Sequence, residues 1–170
     1  GHFIRCFNIA CSLQPLDSDL EIYFNGKYCT FALSKIKNHN FNILDIKRQD
    51  ELYKKGIVIF DSYLHNQAII NEISSKALIS IKVDDFNLYD LSKVDCVINF
   101  RVNAEFENYN SKKSLLGLRY YPAPLGLNDL REKNIQDFNS KKIIKNKKIL
   151  IFIGGNDKFN NAERVIKELD

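Results

Sequence analysis

Apolar residues near the start of the chain fall at helical spacing. Phe3, Phe7 and Ala10, with Cys6 and Leu13 beside them, predict an amphipathic helix over Phe3 to Leu13. Gly1-His2 then stands at its N-terminus. The pattern changes at Glu21 to Phe24 and Tyr28 to Leu33, two stretches rich in β-formers around the turn Asn25-Gly26. They predict a hairpin, or a strand followed by a loop. Phe41 to Leu44 reads as a short strand, and a polar helix is expected around Gln49 to Lys55.

Gly56 to Phe60 is a continuous apolar run ending in Asp61, the pattern of a central parallel strand buried on both faces. Leu64 to Ile73 reads as its following helix. A second run, Ala77 to Val83, ends in Asp84-Asp85, and a third is Cys96 to Phe100. Strands that alternate with helices and end in polar residues imply an α/β protein with a doubly wound, Rossmann-like parallel sheet. Ligands of such sheets bind outside the carboxyl ends of the strands. Leu115 to Leu127, with Gly117, Pro122, Pro124 and Gly126, reads as a loop, and Asn128 to Phe138 as a short helix. Ser140 to Lys148 is polar and basic enough for an interdomain connection. A fresh strand, Ile149 to Ile153, the turn Gly154-Gly155-Asn156-Asp157 and a helix over Ala162 to Leu169 follow. The expected division is a first domain over residues 1–142 and the start of a second over 143–170. No strand precedes Gly1, so the chain is expected to be a piece of a longer protein.

Composition narrows the function classes. The chain has 170 residues, 45% of them apolar, enough for a real core. Its net charge of +4 is spread over interleaved lysines and acids, without arginines and aromatics in a stripe, so a solvated surface is expected rather than a nucleic-acid interface. Cys6, Cys11, Cys29 and Cys96 contain no C-x-x-C pair and read as buried, reduced thiols rather than zinc ligands. No apolar run approaches the roughly 18 residues of a membrane span and no signal-peptide core is present. A soluble, cytoplasmic monomer is the expectation, with no membrane insertion.

The candidate chemistry sits where strands end. His2 could act as a general base near neutral pH, or could bond a neighbouring carbonyl at the helix start. Arg5, one turn later, could hold an anionic group or pair with a surface acid. The Tyr63 hydroxyl, after Asp61-Ser62, could orient water or a sugar hydroxyl, or lie in solvent over the sheet edge. Asp84-Asp85 resembles a metal-binding pair, but two acids make a poor magnesium site and strand termination is the simpler reading. Gly154-Gly155-Asn156-Asp157 could bring backbone N–H groups to a phosphate, although it is neither a P-loop nor G-x-G-x-x-G. His39 and His65 read as surface residues, and Cys6 as core.

In this order the motifs resemble those of the UDP-sugar hydrolases of the pseudaminic-acid pathway. That family includes spore-coat polysaccharide proteins and is related to MurG-type glycosyltransferases. The likeness is carried by Gly1-His2-x-x-Arg5-Cys6, Val58 to Tyr63, Ile81 to Asp85, Asp95 to Asn99, Leu116 to Tyr120 and Ile151 to Asp157. It implies the N-terminal domain of a two-domain GT-B architecture and the first strand and helix of its partner domain. It implies His2 as catalytic base and Tyr63 as an active-site residue. Gly1, Arg5, Asp61, Asp85, Gly154, Gly155, Asn156 and Asp157 become substrate-binding candidates. The implied reaction is metal-independent, cofactor-free hydrolysis of UDP-2,4-diacetamido-2,4,6-trideoxy-β-L-altropyranose to free sugar and UDP. Glycosyl transfer and a non-catalytic nucleotide-sugar-binding module are the alternatives. The chain departs from the family at Asn156 and Lys158, where Ser and Pro are usual, and at Tyr120-Tyr121-Pro122-Ala123-Pro124. By the same resemblance this piece alone is expected to be inactive.

Overall fold

A computed structural model describes residues 1–139, 151, 157 and 159–168. They divide into two compact units, Gly1–Asn128 and Asp129–Asp170. The expected boundary at 142/143 lies outside the described residues, as do the connection at 140–148 and the Gly154-Gly155-Asn156 turn.

The first unit is α/β. Helix α1 (His2–Leu13) runs into a short 3-10 turn and then β1 (Tyr23–Phe24). Helix α2 (Thr30–Asn38) leads to β2 (Asn42–Ile43), which pairs with β1 in parallel, and α3 (Gln49–Lys55) follows. Neither hairpin nor strand forms over Tyr28 to Leu33. Ala32 and Ile36, four residues apart, place one helical face in the core, and that spacing overrides the local β preference.

Strand β3 (Ile57–Phe60), helix α4 (Gln67–Lys76), β4 (Ile79–Val83), β5 (Cys96–Asn99) and β6 (Lys113–Leu116) complete the unit. The side chain of Asn66 caps α4 by accepting from Ile69 N at 3.0 Å. All four strands are parallel, in the order β3-β4-β5-β6. This order does not reverse among the described strands, unlike that of a doubly wound sheet. Right-handed connections between successive neighbours carry every crossover over the same face. Ile70 from α4, Leu91, Val94 and Tyr109 from the connections therefore gather with Phe60 and Val97 in one buried cluster.

Two expectations need correction. β3 is an edge strand of this sheet, with Ile57 61% exposed, and the doubly buried positions belong to β4 and β5. The expected loop after Leu115 begins with a strand, because Lys113–Leu116 pairs with β5 before the chain turns at Gly117. Gly117 has φ +95°, and a Cβ there would meet Glu105 at 2.8 Å, so glycine suits both the turn and the space.

A second cluster joins Phe7 and Ala10 of α1 to Phe24, Ile36 and Phe41, with Phe3 and Cys6 packed against it. It holds α1 against the β1–β2 pair. In the second unit α5 (Leu127–Asn139), most of which lies beyond Asn128, is followed by α6 (Asn161–Lys167). No helix among the described residues is long and apolar enough to cross a membrane.

Candidate functional site

The loops that leave β3, β4 and β5 start with Asp61, Asp84-Asp85 and Phe100-Arg101, all at one edge of the sheet. The N-terminus of α1 reaches the same edge. Gly1 is its N-cap without a side-chain bond, and His2 and Arg5 lie one turn apart on the same helix face.

Their side chains form a closed set. His2 Nδ1 lies 2.6 Å from Asp61 Oδ1. The same nitrogen lies 3.0 Å from Arg5 Nη2, but that group already donates to Asp61 Oδ1 at 2.6 Å, so the shorter contact with Asp61, which only accepts, assigns the proton to Nδ1 and leaves Nε2 as the acceptor nitrogen of the neutral ring. Arg5 forks onto Asp61 through Nε to Oδ2 at 2.8 Å and Nη2 to Oδ1 at 2.6 Å. Its Nη1 reaches both oxygens of Asp85, at 3.0 and 2.8 Å. Asp85 Oδ2 also accepts from the Tyr63 hydroxyl at 2.5 Å, and the ring of Tyr63 meets that of His2 edge-on at 4.3 Å. Five of the residues singled out in the sequence thus converge: His2, Arg5, Asp61, Tyr63 and Asp85.

Exposure separates them into two groups. The side chain of Asp61 is 1% exposed and that of Asp85 7%, whereas His2 retains 35%. Tyr63 is 59% exposed. The acids and Arg5 spend their polar atoms on one another and form a frame, while His2 and Tyr63 face outward from it. Burial works against the Arg5 charge, but hydrogen bonds and attraction from Asp61 and Asp85 hold its pKa above the ordinary value. Burial also works against the Asp85 carboxylate, yet the bonds from Tyr63 and Arg5 keep its pKa below the usual range. The bond to Asp85, followed by burial, raises the Tyr63 hydroxyl.

Asp84 and Asp85 do not act as a pair. Asp84 Oδ1 faces Lys82 Nζ at 3.0 Å. Its Oδ2 accepts from the backbone N–H groups of Phe86 and Asn87 and from the Tyr109 hydroxyl. Asn99 in turn donates to the Tyr109 oxygen at 3.0 Å. Lys82 is 3% exposed and Asn99 fully buried, so a polar network lies beneath the edge. Among the described residues no group of three His, Cys, Asp or Glu side chains is placed to hold a metal ion.

Sequence reasoning missed Lys82, Asn99, Tyr109, Phe100 and Arg101. The Phe100 ring lies 5.3 Å from the Arg5 guanidinium, and Arg101 donates to the Asp85 carbonyl. One signal was available: Asp84 follows Lys82 by two residues at the end of a strand, a spacing that returns to the same face.

Other candidates have structural surroundings. A Cβ on Gly1 would meet nothing within 4 Å, so no close approach demands glycine there. Asp157 accepts from Asn161 N and Ala162 N, both at 2.8 Å, at the start of α6. Cys29 is exposed and Cys6, Cys11 and Cys96 are half-buried, all free, so the expectation of four buried thiols holds only in part. His39 is exposed, but His65 is half-buried against Phe60 with its Nδ1 buried and unpartnered, contrary to a surface assignment.

Comparison of the chain with protein-family models, curated proteins and solved structures returned no match.

Proposed function

We propose that the chain is the front part of a metal-independent nucleotide-sugar hydrolase with a two-domain GT-B architecture. Its substrate would be a UDP-linked diacetamido-trideoxy sugar, cleaved to free sugar and UDP in the cytoplasmic synthesis of a nonulosonic acid such as pseudaminic acid. The observation that carries this reading is the His2–Asp61 bond. An imidazole whose Nδ1 is held by a buried carboxylate has its other nitrogen oriented, as a general base requires.

In the reaction, His2 Nε2 takes a proton from water as its oxygen attacks the anomeric carbon. The bond from that carbon to the phosphate oxygen breaks, and its electron pair leaves with UDP. Asp61 stabilises the imidazolium that forms. Tyr63 donates its hydroxyl hydrogen bond to Asp85, so its oxygen is an acceptor able to orient the water or a sugar hydroxyl. Arg5 locks Asp61 and Asp85 in register and thereby couples the base to the tyrosine. In this reading the diphosphate is held by the second domain, where Gly154-Gly155-Asn156 belongs by resemblance.

The test is NMR of the full-length protein with the UDP-linked sugar in the presence of chelator. Loss of the donor's anomeric signal and appearance of free sugar and UDP, abolished in His2→Phe, is the expected result. An inert donor overturns the substrate. Transfer of the sugar to an added hydroxyl acceptor in preference to water turns the protein into a glycosyltransferase, and UDP binding without turnover makes it a binding module.

A further inference from the structure

His2 Nδ1 stands between an acceptor and a donor. It lies 2.6 Å from Asp61 Oδ1 and 3.0 Å from Arg5 Nη2, and those two atoms are themselves 2.6 Å apart. While the guanidinium donates to Asp61, Nδ1 keeps its proton and Nε2 accepts. Were the guanidinium to turn from Asp61 towards Nδ1, it would donate there, and the neutral ring would carry its proton on Nε2. His2 could then take no proton from water, so the aim of Arg5 decides whether the base exists. We propose that Phe100 is the positioning residue that fixes this aim, braced from the loop after β6 by Tyr121 and Pro122. The catalytic consequence rests on the hydrolase reading above, whereas the link from Phe100 to the His2 proton does not.

Asp61 and Asp85 hold the guanidinium by its N–H edges. Such bonds limit sliding more than tilting, because the angular preference at a carboxylate oxygen is broad. Phe100 supplies the missing restraint. Arg5 Cζ lies over its ring, 5.3 Å from the centre, where a cation is attracted to the ring face. The ring is itself buried and fixed from two sides. Behind it, the buried Asn99 donates to the Tyr109 hydroxyl and accepts from Arg101 N at 3.0 Å, which pins the backbone on either side of Phe100. In front, the Tyr121 ring meets Phe100 edge-on at 5.4 Å. The next carbonyl, that of Pro122, accepts from Asn8 Nδ2 at 2.9 Å. Asn8 is buried one turn after Arg5 on α1.

The loop after β6 therefore grips both the ring beneath Arg5 and the helix that carries Arg5 and His2. An aliphatic side chain at position 100 would fill the space without offering a ring face, and Arg5 would be free to tilt towards Nδ1. The loop thus acts on the base through Phe100 and Arg5, at a distance from the imidazole itself.

Long-range proton–nitrogen NMR of the His2 ring, recorded above neutral pH on the full-length protein, reads the tautomer directly. The wild type is expected to hold the Nδ1–H form in large excess. Phe100→Leu should lower the ratio of the two forms by about tenfold or more, so that both are seen. Its kcat for the UDP-linked sugar should fall in proportion to the lost Nδ1–H fraction, with KM unchanged. Phe100→Tyr, which keeps the ring, should restore most of the ratio. Tyr121→Ala, made at a ring that is 52% exposed, should shift it in the same direction as Phe100→Leu. An unchanged ratio in Phe100→Leu, or in Tyr121→Ala should the first variant not fold, overturns the proposal. So does a loss of kcat without a change of tautomer, which would confine Phe100 to packing. No hydrolysis by the wild type, but a ratio that falls in Phe100→Leu, overturns the hydrolase and leaves the link from Phe100 to His2 standing.

Discussion

His2 and Asp61, 59 residues apart in the chain, meet at 2.6 Å between imidazole Nδ1 and a carboxylate that is 1% exposed. The bond joins the first turn of α1 to the residue that follows β3, and Arg5 doubles the same link. Asp61 therefore has two tasks, fixing the His2 tautomer and compensating a half-buried guanidinium.

Asp61→Asn separates these tasks from folding. The amide keeps the shape but can offer its NH2 to Nδ1, which moves the imidazole proton to Nε2 and removes the base. Hydrolysis by the full-length protein should fall about a hundredfold or more, within the range general-base catalysis supplies. Arg5 keeps Asp85, so the loss of stability should stay below the ~3–5 kcal/mol of a fully broken buried pair. Nitrogen chemical shifts of His2 report the tautomer directly. A variant that hydrolyses at the wild-type rate with an unchanged tautomer would remove Asp61 from the mechanism.

That Asp61, Tyr63 and Asp85 would share an edge was legible in the sequence, because buried β runs end where their polar residues must emerge. The helices over Gln49–Lys55 and Asn161–Lys167 fall where the sequence placed them. Three things were not. Tyr28 to Leu33 contains β-formers, and only the Ala32 and Ile36 pair, which needs the neighbouring helix to have meaning, shows that the segment coils. Lys113–Leu116 is a short strand with a polar start, paired on a single side by β5, so its own pattern is weak. The edge position of β3 depends on which strands pair, and no property of Ile57 to Phe60 alone encodes that. The frame around Arg5 lay beyond reach in another sense. Arg5 reads as an anion binder until the structure gives it two carboxylates.

Tyr63→Phe isolates a hydroxyl. The ring that meets His2 at 4.3 Å remains, and Asp85 keeps both bonds from Arg5. The stability change should stay within the 0.5–1.5 kcal/mol of a typical single hydrogen bond, about the lower end because the residue is exposed. The rate of hydrolysis should fall about tenfold or more, as expected if the oxygen orients a reactant. Urea unfolding and initial rates measured on the same preparation separate the two effects. A rate within twofold of the wild type would confine Tyr63 to packing.

The frame also predicts how the fold answers to acid. Burial opposes the charge of Asp85, but bonds from Tyr63 and Arg5 lower its folded pKa below the unfolded value, and Asp84 is lowered likewise by Asn87 N and Lys82 against its burial. Stability from such carboxylates is complete above the unfolded pKa of about 4 and disappears as pH falls through the lower folded values. Unfolding free energy should therefore drop between pH 5 and the acid limit at about pH 2. Asp85→Asn should be less stable at pH 7 and show a shallower acid dependence. A slope identical to that of the wild type would mean that Asp85 titrates alike in both states.

Thiol chemistry gives a last check on the packing of α1. Burial, with a smaller contribution from Asp61, pushes Cys6 up to about 12, whereas Cys29 is exposed at the N-cap of α2. Only an accessible thiolate reacts, so burial of Cys6 slows its modification and exposure leaves Cys29 open to the reagent. Alkylation by iodoacetamide at pH 8, followed by peptide mapping, should label Cys29 at least about a hundredfold faster than Cys6. All four thiols should react alike in urea. If the proposed hydrolysis holds, the full-length protein should keep it once Cys29 is alkylated, because no cysteine is asked to attack the substrate. Fast modification of Cys6 in the native protein would mean that α1 detaches from the Phe7, Phe24 and Phe41 cluster, and with it the His2–Asp61 bond would have to open.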